Sequence, residues 1–156
     1  MSKGRVQQIG TPYEVYHWPE NMFVGGFIGS PPMNFISGRI QDGRFIASGL
    51  DLAVPPNLLA GLGSHINDDL ILGIRPENFK TWSGEFHEPI KATITSSEYL
   101  GNHALLYVTM EETRCIVNLS LDGADLDSAE LYIDMKGAHF FDPKSEKRIR
   151  SQENGR

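Results

Sequence analysis

The sequence predicts a mainly β fold preceded by two short N-terminal helices. Short apolar runs dominate the chain after residue 33, and turn-forming residues divide these runs. The clearest helix-start signals lie in the first 30 residues. With 16 glycines and 9 prolines among 156 residues, the chain has many turn positions and little room for long helices. A small barrel or sandwich of short strands is therefore expected.

The first helix is predicted to begin just after Thr11. Thr11 can cap the helix, Pro12 suits the first helical position, and Glu14 stands where it completes a capping box. Pro19 disfavours helical geometry in the residue before it. The first helix is therefore expected to end near Trp18.

A second short helix is predicted from Asn21 to Ile28. Asn21 can cap it, and Phe23 and Phe27 lie four positions apart, on one helical face. The Gly-Ser-Pro-Pro run at residues 29–32 then ends helical structure and forms a stiff hinge.

Strand signals follow from residue 34 onward. The Asp42-Gly43 pair predicts a tight turn between strands at residues 34–40 and 44–48. Residues 57–63 are expected to form a helical turn or loop, and residues 80–88 a polar, irregular segment. Further strands are predicted at Leu50–Val54, Leu70–Ile74, Ile90–Tyr99, Ala104–Met110, Arg114–Leu119, Leu131–Met135 and His139–Phe141.

Composition and charge exclude several function classes. The formal net charge is −6, with 20 acidic and 14 basic residues, so the clustered positive charge of a nucleic-acid-binding surface is missing. No apolar run approaches the roughly 20 residues that cross a bilayer, so direct membrane insertion is not expected. The single cysteine, Cys115, excludes an internal disulfide.

The sequence offers no catalytic or metal-binding pattern. None of the lysines follows a glycine, so the phosphate-binding loop pattern is absent and the chain alone is not expected to bind or cleave ATP. The 5 histidines lack the spacing of a metal site. Neither a catalytic residue nor a cofactor is therefore expected in this chain.

Four sequence blocks, in this order, resemble a known family. They are the opening segment GRVQQIGTPYEVY at residues 4–16, LGIRPENF at residues 72–79, EYLGN at residues 98–102, and HFFDP at residues 139–143. Together they resemble the C-terminal regulatory domain of ATP-binding subunits of bacterial ABC importers for sugars or glycerol 3-phosphate, of the maltose-importer type. The ATPase signatures of that family are not found in this chain.

The resemblance implies an OB-like barrel of the TOBE type, with a second OB-like unit formed by interleaved segments. It also implies a division into a remnant of the last ATPase-domain hairpin at residues 1–10, a helical linker at 11–32, an OB-like regulatory domain at 33–150 and a polar tail at 151–156. The start of the chain is then expected to be a truncation point. Residues 1–10 are expected to be loose or to pair elsewhere. An exposed Trp18 would fit a surface that packs on a missing part of the parent.

The function that the resemblance implies is non-catalytic regulation and dimerisation. The expected partners are a second copy of the chain, the parent's own ATPase domain, the permease subunits and a regulatory protein. ATP and magnesium would bind only to the ATPase domain of the parent. The expected location is the cytoplasm, at the inner face of the bacterial inner membrane, where the chain would be held through the transporter.

Two segments are candidate interface or regulatory surfaces. They contain Arg75, Glu77 and Phe79 in the first segment and Tyr99, Gly101 and Asn102 in the second. Arg75 could instead form an ion pair or cap backbone groups within the fold. Trp82, with Phe79 and Phe86, could cover the barrel or form a docking patch. Phe23 and Phe27 are expected to pack the linker helices on this domain or on the ATPase domain.

An alternative function is the binding of a small ligand, an oxyanion or a sugar, by the OB module. Related TOBE domains bind oxyanions between barrels, and OB barrels often hold ligands on an open face. Such a site would need converging donors, and the candidates are Arg75, Ser96, Ser97 and Asn102.

Overall fold

The computed structural model describes residues 4–122 and 130–150 and confirms the mainly β fold. The helices of this part are α1 (Pro12–His17), α2 (Met22–Phe27) and α3 (Pro56–Leu62). The strands are β1 (Asn34–Gln41), β2 (Arg44–Ala47), β3 (Leu50–Ala53), β4 (Asp69–Ile74), β5 (Phe79–Lys80), β6 (His87–Ile90), β7 (Thr93–Leu100), β8 (His103–Met110), β9 (Thr113–Ser120), β10 (Leu131–Asp134), β11 (His139–Phe141) and β12 (Arg148–Ile149). The predicted polar tail at 151–156 and the first three residues of the predicted remnant lie outside the described residues.

Both N-terminal helices form through the side-chain caps that the sequence predicts. The Thr11 hydroxyl accepts a hydrogen bond from the Glu14 amide at 3.2 Å, and the Glu14 carboxylate accepts one from the Thr11 amide at 2.9 Å. The Asn21 side-chain oxygen accepts from the Val24 amide at 3.0 Å and starts α2. Each cap satisfies amides that a helix leaves unpaired at its start.

The described strands form three antiparallel sheets. One sheet has six strands in the order β12-β11-β4-β1-β2-β3, and the other two have the orders β5-β10-β6 and β7-β8-β9. In the six-stranded sheet, Asn34 lies opposite Ile74 and Arg39 lies opposite Asp69. The β1–β2 turn holds Asp42 and Gly43 at positive φ, as the predicted tight turn requires.

One buried cluster joins all three sheets. Strands β8 and β9 place alternate residues inside, as expected for strands with one covered face. The side chains that are fully buried include Phe45, Leu52, Leu72, Ile74, Phe79, Met110, Val117 and Ile133. Because members of every sheet contribute, the sheets depend on one another for burial.

Two boundary predictions are wrong. The single strand predicted at residues 90–99 is two strands in different sheets, because the chain leaves β6 after Ile90 and enters β7 at Thr93. The segment 80–88 is irregular only in its middle, since Lys80 ends β5 and His87 begins β6. Proline at position 89 is tolerated because β6 is an edge strand of its sheet.

Candidate functional site

Arg75 fastens the helical linker, residues 11–32, to the end of β4. Its guanidinium Nη1 donates to the carbonyl oxygens of Gly25 at 3.0 Å and Ile28 at 2.5 Å, and Nη2 donates to the Tyr16 carbonyl at 2.9 Å. The guanidinium also lies over the Tyr16 ring, 4.1 Å from its centroid. Arg75 therefore caps backbone groups within the chain, which is one of the two roles that the sequence leaves open.

Arg75 is a charged side chain in a buried position. The residue is only 4% exposed, and desolvation lowers its pKa to about 10, so the side chain still carries its charge at neutral pH. Within the described residues, its Nε is buried without a hydrogen-bond partner. Gly29 lies so close that an added Cβ would stand 3.0 Å from Nη1, and its φ of +114° suits glycine. The backbone conformation of the linker at Gly29 thus leaves space for the Arg75 guanidinium.

Glu77 contacts the same linker through the side chain of Tyr16. The Tyr16 hydroxyl donates a hydrogen bond to the Glu77 carboxylate. Pro76 opens a short 3-10 turn, Pro76–Asn78, and the residues on either side of this proline, Arg75 and Glu77, both contact Tyr16. The described ion pairs do not include one between these two residues.

Strand β12 holds the linker at a second point. The Arg148 Nε donates to the Pro19 carbonyl at 2.9 Å, and its amide donates to the Glu20 carbonyl at 2.8 Å. Arg150 adds two hydrogen bonds, at 2.7 and 2.9 Å, to the Glu20 carboxylate. The segment before the linker also contributes, since the side-chain Nε2 of Gln8 donates a hydrogen bond to the Trp18 carbonyl at 3.0 Å. The linker is thus bound both by residues that precede it in the sequence and by residues that follow it.

His139 lies half-buried between these holding points. Its pKa is lowered to about 3, first by desolvation and then by the positive charges of Arg148 and Arg75. The histidine is therefore neutral at physiological pH. Trp18 is half-buried and packs edge-on against the Tyr13 ring, with ring centroids 5.6 Å apart.

The outer face of α2 is apolar. Phe23 and Phe27 stack with ring centroids 5.7 Å apart, and Phe27 is 71% exposed. Val24 and Gly25 are the buried residues of this helix. Phe27 thus stacks on Phe23 of its own helix and otherwise presents an aromatic surface to solvent.

Among residues 4–122 and 130–150, strand β7 pairs only with β8 and is an open edge of the sheet β7-β8-β9. All eight of its residues are exposed, although the strand carries the large side chains Ile94, Tyr99 and Leu100. The pairing with β8 contains an irregularity between Ile94 and Ser96, of the kind that bends and twists an edge strand. Among the predicted interface residues, Tyr99 lies on this strand, and Gly101 and Asn102 form its turn to β8.

The opposite edge strand, β9, is covered. The Asn34 side-chain oxygen accepts from the Ile116 amide at 2.8 Å, and its nitrogen donates to the Ile116 carbonyl at 2.9 Å. Asn34 is nine-tenths buried, and the turn Pro76–Asn78 also packs against β9. Sequence reasoning missed this role, although a polar Asn34 in alternation with the buried Ile36 was a usable signal.

The predicted interface residues differ in their exposure, although three of them line one cleft. Phe79 is 1% exposed and belongs to the core, whereas Trp82 is 58% exposed. Glu77, Phe79 and Asn102 line one cleft, which also contains Trp82.

The four donors of the small-ligand alternative do not converge. Ser96 lines a groove beside Asn34, Asn102 lines the cleft near Trp82, and Arg75 lines a third cleft near His139. Ser97 is exposed on β7. These side chains therefore do not line one common cleft in the described residues.

Three further features concern metal ligands, the single thiol and helix length. Within 4–122 and 130–150, no group of histidine, cysteine, aspartate or glutamate is arranged to hold a metal ion. Burial raises the pKa of the Cys115 thiol to about 12, which makes it a poor nucleophile. In the same ranges, no helix has the length and apolar character needed to cross a bilayer.

Comparison with known proteins gives matches over most of the chain. The MalK OB fold domain matches residues 29–79, and the TOBE domain matches residues 72–136. The chain is 39% identical over 158 residues to the oligosaccharides import ATP-binding protein MsmX of Bacillus subtilis, which covers 96% of this chain and 43% of that protein. It is 38% identical over 159 residues to the multiple sugar-binding transport ATP-binding protein MsmK of Streptococcus mutans, covering 94% of this chain and 41% of that protein.

The chain spans about two fifths of the length of the curated relatives it matches. A third relative, the putative ABC transporter ATP-binding protein YcjV of Escherichia coli, is 38% identical over 154 residues, with 96% of this chain and 42% of that protein covered. The two domain matches fall on the sheets and turns described above. The chain therefore belongs to the MalK OB fold and TOBE domain family and corresponds to the C-terminal part of sugar ABC importer ATP-binding proteins.

Proposed function

We propose that this chain is a non-catalytic regulatory and dimerisation domain of an ABC importer ATPase for sugars or glycerol 3-phosphate. The matches fall only on the OB and TOBE portion, and two relatives are named for oligosaccharide import and for multiple-sugar transport. The single observation that carries the proposal is the open edge at β7, which lies in a fold whose linker is firmly held.

The self-contact is proposed to form by pairing of β7 with β7 of a second copy. Two antiparallel copies of one strand are related by a two-fold axis, so the same residues contribute from both sides. If Ser97 lies at the axis, Glu98 of each copy faces Ser96 of the other, and like charges are not directly opposed. The pair would join two three-stranded sheets into one continuous six-stranded sheet and satisfy both open edges.

A lasting contact between the two copies explains how the domain would assist an ATPase. It keeps the attached ATPase domains at a high effective concentration, so their closure becomes an intramolecular step. The linker is suited to this task because Arg75 and Arg148 bind its carbonyl groups. The exposed Phe27 face is proposed to pack on the ATPase domain, where ATP and magnesium would bind.

Further partners follow from the proposed place in a transporter. The parent would contact permease subunits, and the chain would be peripheral at the cytoplasmic face of the inner membrane. A regulatory protein that binds one arrangement of the dimer better than the other would shift the balance between them.

Sedimentation velocity tests the self-contact. At concentrations on the order of tens of micromolar, the unmodified chain is expected to contain dimer. Ser97→Lys should abolish the dimer, because a lysine on an edge strand opposes pairing with another strand. Ser37→Lys is the matched control, since Ser37 is exposed on β1, a strand paired on both sides. A monomer at all these concentrations, or equal loss of dimer in both variants, would contradict the proposed contact.

The non-catalytic part of the proposal is tested separately. The purified chain is expected to show no ATP hydrolysis above a buffer blank, with magnesium present. Hydrolysis that co-purifies with the chain through two columns would overturn it.

A further inference from the structure

A cleft of about 330 Å³ lies beside the β7–β8 turn, and Glu77, which accepts the hydrogen bond from the Tyr16 hydroxyl, lines one side of it. Three parts of the chain meet there: β5 with the residues after it, the β7–β8 turn, and the end of β9. Its lining includes Lys80, Trp82, Asn102, His103, Asn118 and Ser120. This volume lies at the lower end of the range of about 300–1,000 Å³ that is usual for small-molecule sites. We name it the Trp82 cleft.

Trp82 supplies the apolar wall of the cleft. The residue is 58% exposed, which is unusual for so large an aromatic side chain. Yet its position is constrained, since its carbonyl contacts His87 Nδ1 at 3.1 Å, its ring lies 6.0 Å from the His87 ring, and the Lys80 Nζ lies over the indole at 5.4 Å from the ring centroid. An exposed but constrained indole is a platform that costs little entropy when a flat ligand packs against it.

The other walls carry amide and hydroxyl groups. The Asn118 side chain is half-buried and makes no hydrogen bond to the described residues. Asn102 contacts the neighbouring ring nitrogen Nδ1 of His103 at 3.2 Å, and the Ser120 hydroxyl donates to Asp122 at 2.9 Å. An amide can donate and accept at once, which matches the adjacent hydroxyl groups of a sugar ring.

The charge of the cleft argues against a phosphorylated ligand. Lys80 contributes the only ammonium group of the described lining, and its Nζ donates to the Glu77 carbonyl at 3.0 Å. Glu77 itself lines the cleft and brings a carboxylate. Phosphate sites instead gather several cationic or amide donors on one point. A neutral ligand with one apolar face and several hydroxyl groups fits this lining better.

We propose that the Trp82 cleft binds a saccharide ring, which stacks on Trp82 and forms hydrogen bonds with Asn118 and Asn102. The ligand class is neutral sugars, and the site is distinct from the β7 edge proposed for self-contact. A sugar bound there would contact the β7–β8 turn through Asn102. The residues of this site come from segments that are far apart in sequence, so only the fold brings them together.

Nuclear magnetic resonance of the two indole groups tests the site without altering the chain. Trp18 and Trp82 are the only tryptophans, so one indole resonance reports on the cleft and the other on the linker. The probes are maltose, raffinose and glucose, with the open-chain polyol sorbitol as a control that lacks a ring face. We expect a saturable shift of the Trp82 resonance with at least one sugar, with a dissociation constant of about 1 mM, and no shift of the Trp18 resonance.

Two variants separate the site from general effects on the surface. Asn118→Ala should weaken binding about 10-fold, the effect of one lost hydrogen bond to a ligand hydroxyl. Trp82→Ala should abolish the heat of binding in calorimetry, and far-UV circular dichroism checks that both variants fold. Ser97→Ala, on the exposed β7 strand, is the matched control and should bind as the unmodified chain does.

The results that would overturn the proposal are equally concrete. They are no saturable shift with any of the three sugars, an equal response to sorbitol, or sugar affinity that is unchanged in Asn118→Ala. The dimer measurements above do not depend on these titrations, so failure of one leaves the other standing.

Discussion

The two edge strands of the sheet β7-β8-β9 differ in what covers them. The β9 edge is closed by the Asn34 side chain, which bonds both backbone groups of Ile116, and by the turn that follows Arg75. The β7 edge presents eight exposed residues. Folded proteins usually protect such edges, because unpaired strands join other chains. The contrast is the reason that the self-contact is proposed at β7 and not at β9.

Among these predictions, the largest loss of stability on the β9 side of the molecule is expected when Arg75 is replaced. Arg75→Met removes the donors to three linker carbonyls and loosens the turn that packs on β9, so we expect a loss of about 3 kcal/mol in the free energy of unfolding. Urea denaturation measures it. The matched control is Arg39→Met, because Arg39 forms an exposed ion pair with Asp69 at 3.1 Å. That control should cost less than about 0.5 kcal/mol, and equal losses in the two variants would contradict the role of Arg75.

A smaller loss is expected when the β9 edge is uncovered directly. Asn34→Ala removes two hydrogen bonds to Ile116 and one to the Ile74 carbonyl. Because the backbone groups of Ile116 are left without their partner, we expect a loss of about 2 kcal/mol. Ser37→Ala, an exposed position on the same strand, is the control. If Asn34→Ala unfolds at the same urea concentration as this control, Asn34 does not close the edge.

Acid should lower the free energy of unfolding through His139, which lies near Arg75 and Arg148. Its folded-state pKa is lowered to about 3 from an ordinary value of 6.5, so the unfolded chain binds more protons between these values. Stability from this group is therefore complete well above pH 6.5 and declines as the pH falls towards 3, by about 2 kcal/mol near pH 5. His139→Gln should flatten the stability profile in this window. An unchanged slope in that variant would contradict the assignment.

The smallest effect on stability is expected at the open β7 edge, in contrast to the β9 edge. Tyr99 is 66% exposed, so Tyr99→Ala should change the free energy of unfolding of the monomer by less than about 0.5 kcal/mol. The same change should weaken self-association by roughly 10-fold, since an aromatic side chain at the proposed contact is lost. Sedimentation equilibrium and urea denaturation give the two numbers. A stability loss without any change in association would reverse the interpretation of this edge.

The local features of the fold could be predicted because their causes are local. The Thr11 capping box, the Asn21 cap and the Asp42-Gly43 turn each depend on residues within a few positions of one another. The strand prediction at 90–99 was wrong because periodicity does not show which sheet a strand joins. Only the pairing of β6 with β10, and of β7 with β8, reveals the break.

The candidate site was predicted less well because its contacts cross the whole chain. The carbonyl groups that bind Arg75 lie about fifty positions or more away, so no short pattern distinguishes an inward arginine from an exposed one. Arg148 is 129 positions from its acceptor Pro19 and was not singled out. The open β7 edge was anticipated only through Tyr99, Gly101 and Asn102, because exposure depends on what the rest of the fold leaves uncovered.

Hydrogen exchange at a series of protein concentrations tests the central claim most directly. The backbone amides of β9 should be protected at every concentration, because Asn34 and the Pro76–Asn78 turn close that edge within one chain. The outward amides of β7 should exchange rapidly in dilute solution and become protected as dimer forms. If β7 exchanges at the same rate in monomer and dimer, the two copies meet elsewhere and the open edge is not the contact.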